Sequence, residues 1–252
     1  RQIGIIRVFV YEYSINDIEL YNSILDKLVD DRVLAEFYPL LQTTSPLDSR
    51  AIMRLHKALD INIANIWLYQ NIAYGSVHKT ISDDEISKFL EKLYSKENGV
   101  YVAMEILKMR FHKSPNETPE HSDNLVQIGQ NLLLKYDFSN KPRRQNNDDY
   151  ELSQIASICL VGEKGSYIAK EFCHNLVKAI SEDTIYSHDF QQLLSSLAKL
   201  QPASFMDIFL DNDIIKGYKQ RRIFSLNFRD NDNPLNQILD QEIINWCELK
   251  PD

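Results

Sequence analysis

Ser82-Asp83-Asp84-Glu85-Ile86-Ser87-Lys88-Phe89-Leu90-Glu91-Lys92-Leu93 is the stretch that decides the fold. A serine followed at the third position by a glutamate is a capping box, in which each side chain satisfies an amide left open at a helix start. Ile86, Phe89, Leu90 and Leu93 then recur at steps of three and four, the spacing that lines one face of an α-helix. Asn98-Gly99 turns the chain, and in the run Val100 to Phe111 the residues Val100, Ala103, Met104 and Leu107 again share a face. Two amphipathic segments joined by a short turn predict a helical hairpin.

The pattern repeats toward the N-terminus. Asn16, with Glu19 three positions on, reads as a cap ahead of Ile18, Tyr21, Ile24, Leu25 and Leu28. Val33 to Leu41 forms a second run, interrupted by Pro39. Ser45-Pro46 reads as a helix start, with Ile52, Leu55 and Leu59 on the buried face that follows. Ile63 to Tyr74 is expected as a helix that groups Ile63, Ile66, Trp67 and Gln70 and ends at Gly75. The first residues, Ile3 to Tyr13, are β-branched and aromatic and leave two readings, an edge strand or the end of a helix.

Toward the C-terminus, Ser114 to Pro119 is a loop, and Leu125, Ile128, Leu132 and Leu133 mark the next helix. Leu152 to Val161, Tyr167 to Ile180, Phe190 to Leu200, Phe205 to Leu210 after Pro202, and Ile238 to Leu249 read as further helices. Polar stretches at Ser139 to Asp149 and Asn227 to Pro234 interrupt them. Taken in pairs, the helices recur at roughly 35 to 40 residues, without a shared residue signature. The expected fold is therefore all-α, a stack of helical hairpins that is α-solenoid-like, in the manner of HEAT or TPR proteins. The expected organisation is an array over 1–138, a polar linker at 139–149 and a second array over 150–252, continuous with the first.

Composition agrees with this reading. Of 252 residues, 44% are apolar, enough to bury a sizeable core. Only 7 glycines and 8 prolines are present, few for a turn-rich sheet protein. A net charge of −8 argues against broad attraction to nucleic acid or anionic membranes. No apolar run approaches the roughly 20 residues of a transmembrane helix, so no membrane partner is expected. The start at Arg1 and the end at Pro251-Asp252 are read as those of a fragment or a processed product. Cys159, Cys173 and Cys247, odd in number and widely spaced, read as reduced thiols of a cytoplasmic protein.

No motif carries chemistry. In Gly162-Glu163-Lys164-Gly165-Ser166 the lysine precedes the second glycine, so this is a helix–helix turn and not a phosphate loop. Cys173 and His174 are neighbours on a helix and point about 100° apart, which prevents a nucleophile–base contact. The histidines show no metal-ligand spacing, and there is no Cys-x-x-Cys. Acidic pairs such as Asp30-Asp31, Asp83-Asp84 and Asp148-Asp149 sit where carboxylates cap helices. Neither catalysis, a cofactor nor a metal is expected. The remaining candidates are contacts for a partner: Trp67, Tyr69 and Tyr101, and the basic cluster Lys216, Tyr218, Lys219, Arg221 and Arg222.

Ile66-Trp67-Leu68-Tyr69-Gln70-Asn71-Ile72-Ala73-Tyr74-Gly75 and the run Gly99-Val100-Tyr101-Val102-Ala103-Met104-Glu105-Ile106-Leu107-Lys108-Met109-Arg110 resemble stretches of long bacterial multi-domain proteins. Arg221-Arg222-Ile223-Phe224, Asn233-Pro234-Leu235 and Ile243-Ile244-Asn245-Trp246-Cys247 resemble the helical C-terminal regions of large bacterial NTPase-type proteins, some associated with anti-phage defence. The resemblance implies a helical arm that senses or positions a partner while nucleotide hydrolysis or effector chemistry lies elsewhere. The Walker A sequence of that family does not occur here, so no catalytic residue is carried over.

The expectation is thus a non-catalytic scaffold or sensor region of a larger cytoplasmic bacterial protein. It would bind a protein partner and other domains of its parent. The alternative is a nucleic-acid-associated accessory domain that uses the Lys216–Arg222 cluster with steep salt dependence. A third reading, an all-helical enzyme, requires His56, His112, His121 and His174 to converge.

Overall fold

The computed structural model describes residues 2–112, 121–140, 148–210 and 233–250. Among them regular structure is helical throughout, with no strand. The Ser114–Pro119 loop, the charges Lys141, Arg143 and Arg144, and the whole Lys216–Arg222 cluster lie outside the described residues. The chain forms two compact units, Arg1–Ile128 and Gly129–Asp252. The division falls inside a helix, upstream of the polar stretch 139–149.

The first unit contains α1 (Gln2–Asn16), α2 (Ile18–Leu28), α3 (Tyr38–Gln42), α4 (Ser49–Ile61), a 3-10 segment (Ile66–Ala73), α5 (Asp83–Tyr94) and α6 (Gly99–Phe111). The capping box forms as its residues dictate: Ser82 Oγ accepts the Glu85 N–H at 3.3 Å, and Glu85 accepts the Ser82 N–H at 3.3 Å. Ile86, Phe89, Leu90 and Leu93 are fully buried, and α5 packs on both α4 and α6. Asn98 takes the left-handed conformation at φ 59°. Gly99 follows because a Cβ there would lie 1.9 Å from the Leu93 carbonyl oxygen.

Three local expectations are corrected. Asp17, not Asn16, caps α2, accepting the Leu20 N–H at 3.0 Å, because the Asn16 amide turns back to the Glu12 carbonyl at 2.9 Å. Asp48, not Ser45, caps α4, accepting from Ala51 at 2.7 Å, while the Ser45 hydroxyl is taken by Tyr21 at 2.6 Å. Residues 63–74 do not form an α-helix. Asn62 ends α4 at φ 56°, Asn65 caps a fresh start, and the chain winds as 3-10 helix from Ile66 to Ala73. Three residues per turn eclipse i and i+3. Tyr69 with Ile72, and Gln70 with Ala73, therefore face inward, and Ile63 is left exposed.

α7 (Asp123–Lys135) spans the division; Leu125, Ile128, Leu132 and Leu133 are all buried, as their spacing predicts. The second unit continues with α8 (Asp148–Cys159), α9 (Gly162–Ser181), α10 (Gln191–Leu200), α11 (Pro202–Phe209) and α12 (Asp240–Glu248). α8 packs on α10, and α9 on α11. Asp149, from the polar stretch, caps α10 across space by accepting the Gln192 and Leu193 N–H groups at 3.0 and 2.8 Å. Gly162 makes the expected turn at φ 70°, and Gly165 lies so close to the Leu160 backbone that a Cβ would meet it at 2.3 Å. Gln201 ties this corner, donating to the carbonyls of Leu160 (2.6 Å) and Gly162 (2.8 Å).

Helices pair mainly with chain neighbours in the first unit and with helices two apart in the second. The two units do not repeat one pairing scheme, and the fold stands as all-α.

Candidate protein-docking face

Of the aromatic contacts expected from sequence, Tyr69 is corrected first. It is 1% exposed and packs against Phe89 at 6.2 Å between ring centres, so it belongs to the core. Tyr101 is buried as well, with its ring stacked against half-buried Trp67 at 6.5 Å. Nearby, the Tyr74 hydroxyl donates to the buried Glu105 carboxylate. Trp67 and Tyr101 do come together, but as a join between the 3-10 segment and α6. This buries Tyr101 in the unit and leaves Trp67 half-buried. Lys216, Tyr218, Lys219, Arg221 and Arg222 lie outside the described residues.

The titratable groups are engaged separately. His56 packs edge-on to Phe89, His121 lies against Phe111, and His78 is buried with Nδ1 at 2.9 Å from the Ile72 carbonyl. Among the described residues, no three of His, Cys, Asp and Glu converge as a metal site requires. Burial pushes the Cys159 thiol up to about 12 and raises that of Cys173 too, which keeps both in the unreactive thiol form. Asp149 is raised by burial, with its two amide bonds opposing the shift. In the second unit an open depression of about 240 Å³ lies between Tyr136, Ser139, Asn175, Lys178 and Glu182. It is smaller than the roughly 300–1,000 Å³ of ordinary small-molecule sites.

The feature that stands out is α1. Its sequence, Gln-Ile-Gly-Ile-Ile-Arg-Val-Phe-Val-Tyr-Glu-Tyr-Ser-Ile-Asn, is apolar around nearly the whole circumference, with one cation and one anion. Packing on α2 and α3 buries one side, centred on Val10 at 1% exposure. The opposite side carries Ile5, Val8, Phe9, Tyr11 and Ile15, exposed from 48% (Tyr11) to 73% (Ile5). At about 100° per residue these five fall within an arc of about 160°, along roughly 15 Å of helix axis. Arg7 and Glu12 are exposed on the same helix.

Local bonds hold this face as a helix despite its β-branched residues, which are poor helix formers. Ser14 Oγ donates to the Tyr11 carbonyl at 2.6 Å, Asn16 to that of Glu12, and the Asp17 N–H to that of Tyr13 at 2.9 Å. Phe9 and Tyr13 meet edge to face at 4.8 Å. Sequence reasoning left this segment between strand and helix. The missed signal was the scatter of its few polar residues, Arg7, Glu12, Ser14 and Asn16, which form no single polar face along the helix.

Family models, curated proteins and solved structures were all compared with this chain, and none matches.

Proposed function

We propose that the chain is a protein-binding helical scaffold or sensor region, and that the exposed side of α1 is its docking face. The observation behind this is the largely apolar side Ile5–Val8–Phe9–Tyr11–Ile15, with Glu12 among them, displayed by a helix whose other side is already packed. Apolar stripes of this kind mark interaction surfaces, and a rigid helix presents them without an ordering cost. An amphipathic groove or a second helix is the geometry that covers such a face. The place of the chain within a larger bacterial protein, and a part in anti-phage defence, belong to the same proposal.

The test is affinity capture with the intact chain and with its Val8→Glu/Ile15→Glu variant as parallel baits, from bacteria with and without phage infection. The proposal expects a specific protein held by the first bait and lost from the second. Identical capture by both baits, or none by either, overturns it.

A further inference from the structure

We infer that Glu105 and Tyr74 form a binding site for a primary alkylammonium group. The site lies wholly in the first unit and is independent of the α1 docking reading. α6 is buried without a break from Tyr101 to Leu107, and Glu105 is the single charged side chain in that run, 7% exposed. Its Oε1 accepts from the Tyr74 hydroxyl. Among the described residues Oε2 has no hydrogen-bond partner, and no Lys, Arg or His forms an ion pair with this carboxylate. A glutamate is almost never buried so far without a partner of opposite charge. Taking that charge out of water is offset only when a cation is brought to it.

The donors and acceptors choose the cation. A divalent metal ion takes six or more oxygen ligands, and among the described residues no three of His, Cys, Asp and Glu gather here. A guanidinium carries five N–H donors, more than one carboxylate and one phenol can satisfy. An ammonium carries three, and the two oxygens of Glu105 with the oxygen of Tyr74 are three acceptors. The stem of such a ligand has aromatic neighbours. Tyr101 precedes Glu105 by one helical turn on the same face of α6, and half-buried Trp67 stacks on its ring.

Tyr74 also supplies the way in. It is 54% exposed, so a single side chain separates the carboxylate from solvent. It closes the 3-10 segment and is followed by two left-handed residues, Gly75 at φ 64° and Ser76 at φ 58°. A non-glycine residue in that region is strained backbone of the kind that gathers at ligand clamps. Gly75 is uncrowded, since a Cβ there would meet only Val77, at 3.9 Å. This corner sets the Tyr74 phenol over α6, where its hydroxyl turns from donor to acceptor when an ammonium enters.

NMR of the intact chain, followed at the Trp67 and Trp246 indoles while n-butylammonium is added, tests this. The expected result is a saturable shift at Trp67 with a dissociation constant of about 1 mM, and none at Trp246, which lies in the other unit. n-Butanol, with the same stem and no charge, should shift neither. Glu105→Gln still accepts the Tyr74 hydroxyl and is expected to weaken binding by at least about tenfold. Tyr74→Phe changes an exposed position and leaves the core alone, so it decides the matter even where the first variant fails to fold. It should weaken binding by about three- to tenfold, for one lost acceptor. The peptide Gly-Gly-Lys-Gly-Gly separates the sources of the ammonium: binding tighter than n-butylammonium identifies a lysine of a partner protein, and equal binding a free amine. No saturable shift up to about 50 mM, an equal shift from n-butanol, or unaltered affinity in either folded variant overturns the site.

Discussion

The guanidinium of Arg54 lies buried in the first unit, 6% exposed, with its Nε 2.6 Å from the carboxylate of Asp26. The same group donates to Asn22 Oδ1 at 2.7 Å, to the Asn22 carbonyl at 3.2 Å and to Gln42 Oε1 at 3.4 Å, and Gln42 also accepts from Tyr38 at 2.6 Å. One side chain of α4 thereby satisfies polar groups of α2 and α3 together. Arg54→Ala is expected to cost about 2–3 kcal/mol, because two of the acceptors it leaves, Asn22 and Gln42, are buried. Arg54→Lys will recover little of this, since an ammonium cannot supply the planar fork. Urea denaturation of the intact chain measures both.

Asp26 makes this network sensitive to acid. Burial opposes its ionisation, but the hydrogen bonds and charges of Arg54 and Arg50 outweigh burial and hold the carboxyl below its usual range. A carboxylate depressed in the folded state gives stability that is present above its unfolded pKa of about 3.9 and is lost as pH falls through the folded value. Asp26→Asn is therefore expected to lower stability at neutral pH and to flatten the fall below about pH 4, read from denaturation midpoints across pH.

His78 acts in a higher window. Burial lowers its pKa, the Ile72 carbonyl opposes that shift, and the positive charge of Arg110 adds to it. Arg110 itself donates to the His78 carbonyl at 2.7 Å and to Asp83 at 2.7 Å. A histidine kept neutral by folding gives stability that is complete above its unfolded pKa of about 6.5 and declines as pH falls toward the folded value. His78→Asn keeps a donor near the position of Nδ1. The variant should be less stable at pH 7 yet lose this step, the decline that sets in as pH falls below about 6.5.

Gly129 and Cys159 are a close-packed pair between α7 and α8: a Cβ at 129 would meet the Cys159 sulfur at 2.2 Å. Gly129→Ala is expected to destabilise by about 1–3 kcal/mol through overpacking. Gly129→Ala/Cys159→Ala should cost less than the two single changes together, the signature of direct coupling. A strictly additive cycle would show that the helices move apart freely.

The three thiols should separate by reactivity. Cys159 and Cys173 are buried and Cys247 is exposed. A thiol reagent at neutral pH is expected to modify one cysteine per folded chain, Cys247, and all three in denaturant. Mass spectrometry of the labelled peptides checks both counts.

Much of this architecture is legible in the sequence wherever burial follows a 3.6-residue period. Ile86, Phe89, Leu90 and Leu93 on α5, and Ile52, Leu55 and Leu59 on α4, are buried as their spacing requires. Reading failed where another period or a distant partner governed. The segment Ile66–Ala73 answers to steps of three, so Tyr69 was placed on a surface when it lies in the core. Ser45 looked like a cap, but Tyr21, far away in sequence, claims its hydroxyl. Asp149 reads as a capping carboxylate, but the helix it caps starts more than forty residues on. The exposed apolar side of α1 was obscured because its residues, Ile5 to Ile15, have strand-like chemistry and its few polar residues form no single face to betray a helix. Trp67 and Tyr101 read as partner contacts, whereas the structure stacks them as a join between the 3-10 segment and α6.

The last helix, α12, buries none of its residues. Its Trp246 indole N–H donates to Asp207 of α11 at 2.9 Å, and Lys250 reaches the same carboxylate at 3.0 Å while covering the Trp246 ring. An element held by a polar clasp and not by a core can come away without the rest of its unit unfolding. Its amides should trade hydrogen for deuterium ahead of those of α8 to α11. Asp207→Asn should hasten that trade in α12 alone, which makes a single carboxylate the latch on the end of the fold.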